Sequence, residues 1–307
     1  MVTAIARPND YQSTLESSIR VNWRVEDIIG GDKGLDFIKL FLPESLAGVN
    51  SIICLNDYEK LKLNQIRGNS YLHLFGLVEE FIVPAVIDHV RRIGHEDIYA
   101  TQAFLHFAEE ESKHIRLFRR FAEEFEMGFG SPCGCIGPVQ DIANAVMAHS
   151  PLGVALSILH LEWLTQRHYL ESVRDNQILD LQFCSLLRHH WLEEAQHARL
   201  DTFMVESLAQ ELDEQEIQTG IEDYFKIVEF LNGGLKMQVQ LDIESLSQAI
   251  GRTLTDAQKQ EIQVIQEKSY QWTFLGSGMT HQNFRKTFGQ LSESGLDRVN
   301  ELAKFFC

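Results

Sequence analysis

Two short motifs in the sequence could each bind a metal ion through one carboxylate and one imidazole. Glu111-Ser-Lys-His114 and Glu194-Ala-Gln-His197 both place a glutamate three residues before a histidine. On a helix this spacing points both side chains in the same direction, so that each pair could chelate one ion. The pattern alone is weak, because 28 glutamates and 12 histidines among 307 residues produce about one such motif by chance. Whether these motifs bind metal must therefore be judged from the position of each motif on its helix.

Helical phase directs both glutamates towards a core. At about 100° per residue, Phe107 and Phe118 lie within about 60° of Glu111. Val205 lies within about 40° of Glu194 by the same rotation, together with other apolar residues. Both carboxylates are therefore predicted to be buried.

Two further glutamates are predicted to face inward from other helices. Glu162 is the only acid in the apolar first part of its helix, and Glu79 shares a face with apolar residues while Glu80 points about 100° away. The spacing also favours Glu79, because Glu79 to Glu111 and Glu162 to Glu194 are both 32 residues. Equal spacing is expected if two helix hairpins present equivalent ligand sets.

Four carboxylates that meet inside a protein repel one another and lose their hydration, which costs many kcal/mol unless cations lie between them. Two divalent cations would neutralise the four charges. Hard oxygen ligands with one imidazole per ion favour two iron ions, with manganese as the alternative, over zinc.

The elements that must position these residues are helices. From about Tyr58 onward apolar residues recur at helical spacing in runs too long for strands, so the predicted fold class is all-α. The four long helices are predicted at Tyr58 to Arg92 with a bend at Pro84, His95-Glu96-Asp97 to about Phe125, Pro151 to about Val173, and about Leu179 to Leu212.

The remaining segments are predicted to be accessory to this bundle. Met127 to Pro138 is rich in glycine and proline and must be an irregular connection, which a short helix from Asp141 to Ala148 follows. The first sixty residues have no assignable pattern and are expected to cover the bundle. We treat 1–307 as a single domain, with the bundle at about 58–212 and accessory segments at 1–57 and 213–307. The later helices are predicted at Asp213 to Val239 with a weak point at Gly233-Gly234, Asp256 to Phe274, and Leu296 to Phe306.

Composition excludes several functions. With 27 basic and 44 acidic residues the net charge is -17, which disfavours nucleic acid and anionic membrane surfaces as partners. The five cysteines form neither a disulfide framework nor a four-thiolate zinc site, and no export signal or membrane span is apparent, so a cytoplasmic protein is expected. The acidic runs Glu109-Glu110 and Glu123-Glu124 are interpreted as solvated helix faces.

The order Glu, Glu-x-x-His, Glu, Glu-x-x-His over residues 60–212 resembles the ferritin-like di-iron carboxylate proteins. His190 lies one turn before Glu194 and close in phase to His197, so it could add a third nitrogen ligand, whereas the adjacent His189 points elsewhere. This histidine makes the chain similar to the di-iron N-oxygenases related to p-aminobenzoate N-oxygenase. The resemblance implies seven metal ligands, namely Glu79, Glu111, His114, Glu162, His190, Glu194 and His197.

The resemblance implies an oxygenase that activates dioxygen to oxidise a small organic substrate, with N-oxygenation of an arylamine as the reaction. Asp201, one turn after His197, either accepts a hydrogen bond from a ligand imidazole or ends a solvated face. No nucleotide-binding glycine motif follows a strand, so the electrons are expected to come from an external electron donor or from the substrate, and a homodimer stays open. The alternatives are C-hydroxylation, desaturation or aldehyde cleavage, a non-catalytic iron protein that stores or transports iron, and a purely structural bundle.

Overall fold

The computed structural model describes residues 8–94 and 96–307, and its regular structure in these ranges is helical apart from two isolated β-bridges. This confirms the predicted all-α class. His95, which was expected to open the second long helix, lies outside the described residues. In chain order the α-helices are α1 Pro8–Ser18, α2 Val25–Ile28, α3 Glu44–Ala47, α4 Asp57–Ile93, α5 Ile98–Phe129, α6 Val139–Met147, α7 Pro151–His168, α8 Leu181–Glu211, α9 Glu214–Ala249, α10 Asp256–Gln271, α11 Ser277–Met279, α12 Gln282–Leu291 and α13 Glu293–Phe306.

Local sequence signals explain where the long helices begin. The side chain of Asn56 accepts a hydrogen bond from Glu59 N while the Glu59 side chain binds Asn56 N, which is a capping box at the start of α4. Asp97 caps α5 and Asp180 caps α8 through their carboxylates. Pro151 occupies the first turn of α7, where its missing N–H is not needed.

Several helices differ in extent from the predictions. Helix α4 runs without interruption through Pro84, and α5 continues to Phe129, so the irregular connection begins only at Gly130 with φ of 80°. Helix α9 passes through Gly233-Gly234 to Ala249, because it packs along its length against other helices. Packing of this kind offsets the roughly 1 kcal/mol by which glycine disfavours a helix. Helix α12 was not predicted at all.

Helices α4, α5, α7 and α8 form the four-helix bundle, in which α4 packs on α5 and on α7, and α8 packs on α7 and on α5. Two accessory helices pack on the outside of this bundle, each against a different pair of its helices. Helix α1 lies on α5 and α8, and α9 lies on α4 and α7. The close approach of α9 to α7 requires glycine, because a Cβ on Gly220 would lie 2.7 Å from Leu152 Cδ2.

A buried polar network ties α9 to α4 and α10. The carboxylate of Asp242 accepts hydrogen bonds from Ser70 Oγ at 2.7 Å, Gln238 Nε2 at 2.8 Å and Tyr270 Oη at 2.5 Å. The fully buried guanidinium of Arg67 lies 3.2 Å from the centre of the Tyr270 ring. The network fixes α9 in register with the bundle, because each group would be unpaired if the helix shifted.

One helix among the described residues, α4, is long and apolar enough to cross a membrane by length and composition alone. In the fold 61% of its most apolar window is buried against other helices, which is the position of a core helix.

Candidate metal centre

Seven predicted ligands lie together inside the bundle, each with at most 4% of its surface exposed. Glu79 comes from α4 and Glu162 from α7. Helices α5 and α8 contribute the other five, which are Glu111, His114, His190, Glu194 and His197. Each of these side chains is therefore buried in the bundle, as its helical phase predicted.

The side chains interleave across the two helix pairs. His197 Nδ1 lies 2.8 Å from Glu111 Oε1, and His114 Nδ1 lies 3.2 Å from Glu194 Oε1. His190 Nε2 lies 2.8 Å from Glu194 Oε1 and 3.1 Å from Glu79 Oε1. Each imidazole therefore faces at least one carboxylate from another helix.

Glu162 lies at the edge of this cluster. Its carboxyl group shares a hydrogen bond with Glu194, and its Oε2 is buried without a hydrogen-bond partner among the described residues. It does not belong to either group of side chains whose ligand atoms lie within 4.8 Å of one another. These two groups are Glu79, His114, His190 and Glu194, and Glu111, His114, Glu194 and His197.

Two glutamates that sequence reasoning did not include hold the outer nitrogens of the histidines. Glu110 Oε2 accepts a hydrogen bond from His197 Nε2 at 2.9 Å, and Glu193 Oε2 accepts one from His114 Nε2 at 2.8 Å. Each glutamate immediately precedes the glutamate of one motif and binds the histidine of the other motif. The interpretation of Glu110 as part of a solvated face is therefore wrong: it is 1% exposed, because Ser18 at the end of α1 covers it and donates hydrogen bonds of 2.7 and 2.8 Å.

Asp201 does not bind a ligand imidazole, contrary to one predicted role. The outer nitrogen of His197 is bound to Glu110 instead, and both carboxylate oxygens of Asp201 lack a hydrogen-bond partner among the described residues. The other predicted role is also wrong, since Asp201 is fully buried and ends no solvated face. Its carboxyl group adds a further buried acid beside Glu111 and Glu194.

Unpaired polar atoms test whether the site fits metal ions. In His114 and His197 the inner Nδ1 atoms make no hydrogen bond, while the outer Nε2 atoms do. Oxygens of four inward glutamates are also buried without hydrogen-bond partners among the described residues, namely those of Glu79, Glu111, Glu162 and Glu194. Buried polar atoms are rarely left unpaired. Apart from Glu162, these residues belong to the two groups whose ligand atoms lie within 4.8 Å of one another, so a cation in each group would give them partners and the donor set fits a di-metal centre.

The pKa values of the buried carboxyl groups are shifted in two directions, upward for some groups and downward for others. Burial and the repulsion of Glu111 raise the pKa of Glu79 to about 8. Burial and the charge of Glu194 raise the pKa of Glu162 well above its usual range, and burial does the same for Asp201. Although burial opposes it, the attraction of the imidazoles lowers the pKa of Glu111 and of Glu194.

The histidines respond in the opposite direction. Against the opposing effect of burial, the facing carboxylates raise the pKa of His190 to about 8 and raise the pKa of His114 and His197 well above the usual value. Without cations, protons therefore neutralise part of the carboxylate charge. Metal ions compete with these protons for the same atoms.

Aromatic rings enclose the histidines. Phe107 stacks on His197 at 4.1 Å between ring centroids, and Phe118 and Phe75 contact His190 edge-on at 5.1 and 5.7 Å. The centre is consequently surrounded by apolar groups that exclude water and strengthen the electrostatic interactions inside.

The residues adjacent to the predicted ligands point in the directions that helical phase predicts. Glu80 points to the surface and pairs with Arg119 at 2.5 Å. His189 is partly exposed and its ring binds Ser185 O at 2.6 Å. The set of one glutamate on each of α4 and α7, with Glu-x-x-His on α5 and α8, is the arrangement of the ferritin-like di-iron and di-manganese carboxylate bundles.

No protein-family model matches the chain, and no curated protein matches it significantly. Among solved structures it is similar to an R2-like ligand-binding oxidase with an aerobically reconstituted Mn/Fe cofactor, at 13% identity and a TM-score of 0.48, over 84% of this chain and 92% of that chain. A variant of such an oxidase with an Fe/Fe cofactor gives the same values. At this identity and TM-score, the similarity gives no information about the ions or the reaction of this chain.

Proposed function

We propose that this protein is a di-iron oxygenase that activates dioxygen to oxidise a small organic substrate. The observation that carries the proposal is the convergence of four buried glutamates and three buried histidines, whose inward atoms lack other partners. Hard carboxylate oxygens with few nitrogens suit iron, or manganese as the alternative, better than zinc.

Iron ions bound here would supply the redox chemistry and the open positions that reduction of dioxygen requires. The protein's own contribution is orientation and exclusion of water. Glu193 and Glu110 hold the outer Nε2–H groups of His114 and His197, so that both Nδ1 atoms stay unprotonated towards the cluster once cations are present. The aromatic rings around His190 and His197 keep bulk water out.

In a monooxygenation one oxygen atom of dioxygen enters the substrate, and the other leaves as water after two electrons and two protons are supplied. We propose an external electron donor as the source of the electrons. Without that donor, only reduced protein would complete a turnover.

The finer reaction that we propose is N-oxygenation of an amine. Its support is His190, which joins the cluster as a third imidazole between Glu79 and Glu194. C-hydroxylation of another substrate is the competing outcome.

Metal analysis of purified and iron-reconstituted protein tests the proposal. We expect about two ions per chain in the native protein and in the control Glu80→Ala, which alters only an exposed ion pair. Glu111→Ala, His197→Ala or both should lose most of this metal. Equal loading of all variants would refute the di-metal assignment.

Reduction followed by exposure to dioxygen then tests the reaction. We expect dioxygen uptake that increases when an arylamine is added, with hydroxylamine or nitro products that retain label from ¹⁸O₂. Hydroxylated carbon products would favour C-hydroxylation instead. Uptake without any organic product would support a non-catalytic iron protein.

A further inference from the structure

An apolar cavity of about 550 Å³ lies between α4, α7 and α9, outside the metal cluster. Its wall is built from buried aliphatic and aromatic side chains, among them Leu77 and Val78 of α4, Leu161 of α7, and Phe274. The volume is in the range of about 300–1,000 Å³ that is typical of small-molecule sites.

The charged groups at this cavity are confined to its rim. Lys226 is 62% exposed at its side chain, and its ammonium group already binds Asp223 at 2.9 Å. Glu229 is exposed on the same helix. Because the inner wall offers aliphatic and aromatic groups, an ionic headgroup that entered would lose its hydration without compensation. The lining therefore selects a neutral, largely apolar molecule.

Helix α9 leaves room for such a molecule at two successive positions. Gly233 and Gly234 both line the cavity in the middle of the helix, although glycine there disfavours the helix by about 0.5–1 kcal/mol per residue relative to alanine. A Cβ on Gly233 would meet no atom within 4 Å, and one on Gly234 would meet only Ile136 Cδ1 at 3.5 Å. Packing of helix against helix does not require either glycine, in contrast to Gly220.

Two aromatic rings connect the cavity with the metal cluster. Phe274 lines the cavity and lies in a π-helical segment, Trp272–Gly276, a local geometry that is frequent at functional sites. Its ring lies 5.7 Å from that of Phe75, which in turn lies 5.7 Å from the imidazole of His190. The cavity and the centre are thus separated by the thickness of two side chains.

We propose that this cavity binds the substrate of the metal centre as a neutral apolar small molecule, with the rings of Phe274 and Phe75 between the bound molecule and His190. The assignment of the ligand as the substrate rests on the proposed function. The binding site itself rests on the geometry of the cavity.

The test uses two fluorophores that share one skeleton, neutral N-phenyl-1-naphthylamine and anionic 8-anilino-1-naphthalenesulfonate, with the full-length protein as purified. Gly233→Leu adds a side chain at a position that lines the cavity, where a Cβ meets no other atom within 4 Å, and it favours the helix. Gln240→Leu, exposed on the same helix and outside this cavity, is the matched control. We expect the neutral probe to bind native protein and the control equally, and Gly233→Leu at least tenfold more weakly. Unchanged binding by Gly233→Leu, or equal binding of the anionic probe, would overturn the proposal.

Proximity to the centre is measured separately by ¹⁹F relaxation of 4-fluorobiphenyl in iron(II)-loaded and zinc-loaded protein. We expect faster relaxation in the iron protein, and loss of this difference in Gly233→Leu. Equal relaxation in both would overturn the link to the metal centre. If the protein binds no metal, the proposed function fails, while the fluorophore comparison still decides whether the cavity is a binding site.

Discussion

Glu110 and Glu193, each of which binds the histidine of the opposite helix, allow a quantitative prediction about metal affinity. Each accepts the outer N–H of one ligand histidine at 2.8–2.9 Å, and each is at most 1% exposed. Loss of a carboxylate partner of a ligand histidine typically reduces metal affinity about 10–100-fold, which corresponds to about 1.4–2.7 kcal/mol. Glu110→Gln and Glu193→Gln keep the size of the side chain and remove its charge, so we expect losses in this range.

The crossing also predicts which ion is weakened. Glu110 acts on His197, which belongs to one of the two ligand groups, whereas Glu193 acts on His114, which belongs to both. Anaerobic iron(II) titration against a chromophoric chelator should therefore change from one phase to two in Glu110→Gln, and Glu193→Gln should weaken both phases. Thermal unfolding of the metal-free variants separates this effect from a general loss of stability.

Glu109→Gln is the matched control, because Glu109 precedes Glu110 but its side chain is 65% exposed. It should titrate like the native protein. If both buried variants bind iron within about twofold of the native protein, or if the control loses as much affinity as they do, the glutamates do not orient the ligands.

Three further predictions concern other parts of the fold. His190→Ala should retain most of the metal in metal analysis but lower the turnover of substrate, because His114 and His197 still supply one imidazole to each ion. Burial raises the pKa of Asp223, but hydrogen bonds from Ser150 N and other donors outweigh this effect and hold the pKa below its usual range. Asp223→Asn should therefore reduce the free energy of unfolding by about 1 kcal/mol at pH 7. Chemical denaturation should show that this difference shrinks as the pH falls below about 3.9, which is the pKa of an aspartate in the unfolded chain. Asp242→Ala breaks three buried hydrogen bonds, so denaturation should show a loss of about 3–5 kcal/mol, and a loss below about 1 kcal/mol would contradict the role given to that network.

Helical periodicity was sufficient to predict the inward glutamates. The choice of Glu79 over Glu80 followed from a rotation of about 100°, and the structure places one in the core and the other in a surface ion pair. Such predictions succeed because the direction of a side chain on a long helix is a local property. Whether these residues are the metal ligands of the working protein stays a prediction until metal is measured.

The burial of Glu110 could not be predicted in this way. Its carboxylate lies between His197 of α8 and Ser18 of α1, and α1 comes from a part of the chain that has no clear periodicity. A usable signal was nevertheless present. Both motifs read Glu-Glu-x-x-His, as Glu110-Glu111-Ser-Lys-His114 and Glu193-Glu194-Ala-Gln-His197, and a repeated first glutamate is not expected of a solvated face.

This repetition follows from the geometry of two helices that face each other. A glutamate adjacent in sequence to a ligand glutamate is rotated by about 100° and cannot reach the same ion from its own helix. It can reach the far side of the histidine on the opposite helix, as Glu110 and Glu193 do. Each helix therefore supplies ligands to the centre and orients the ligand of its partner, so α5 and α8 cannot move independently without releasing a histidine. The rigidity of the centre is accordingly a property of the helix pair, and the cover by α1 is part of it, because Ser18 holds one of the two glutamates in place.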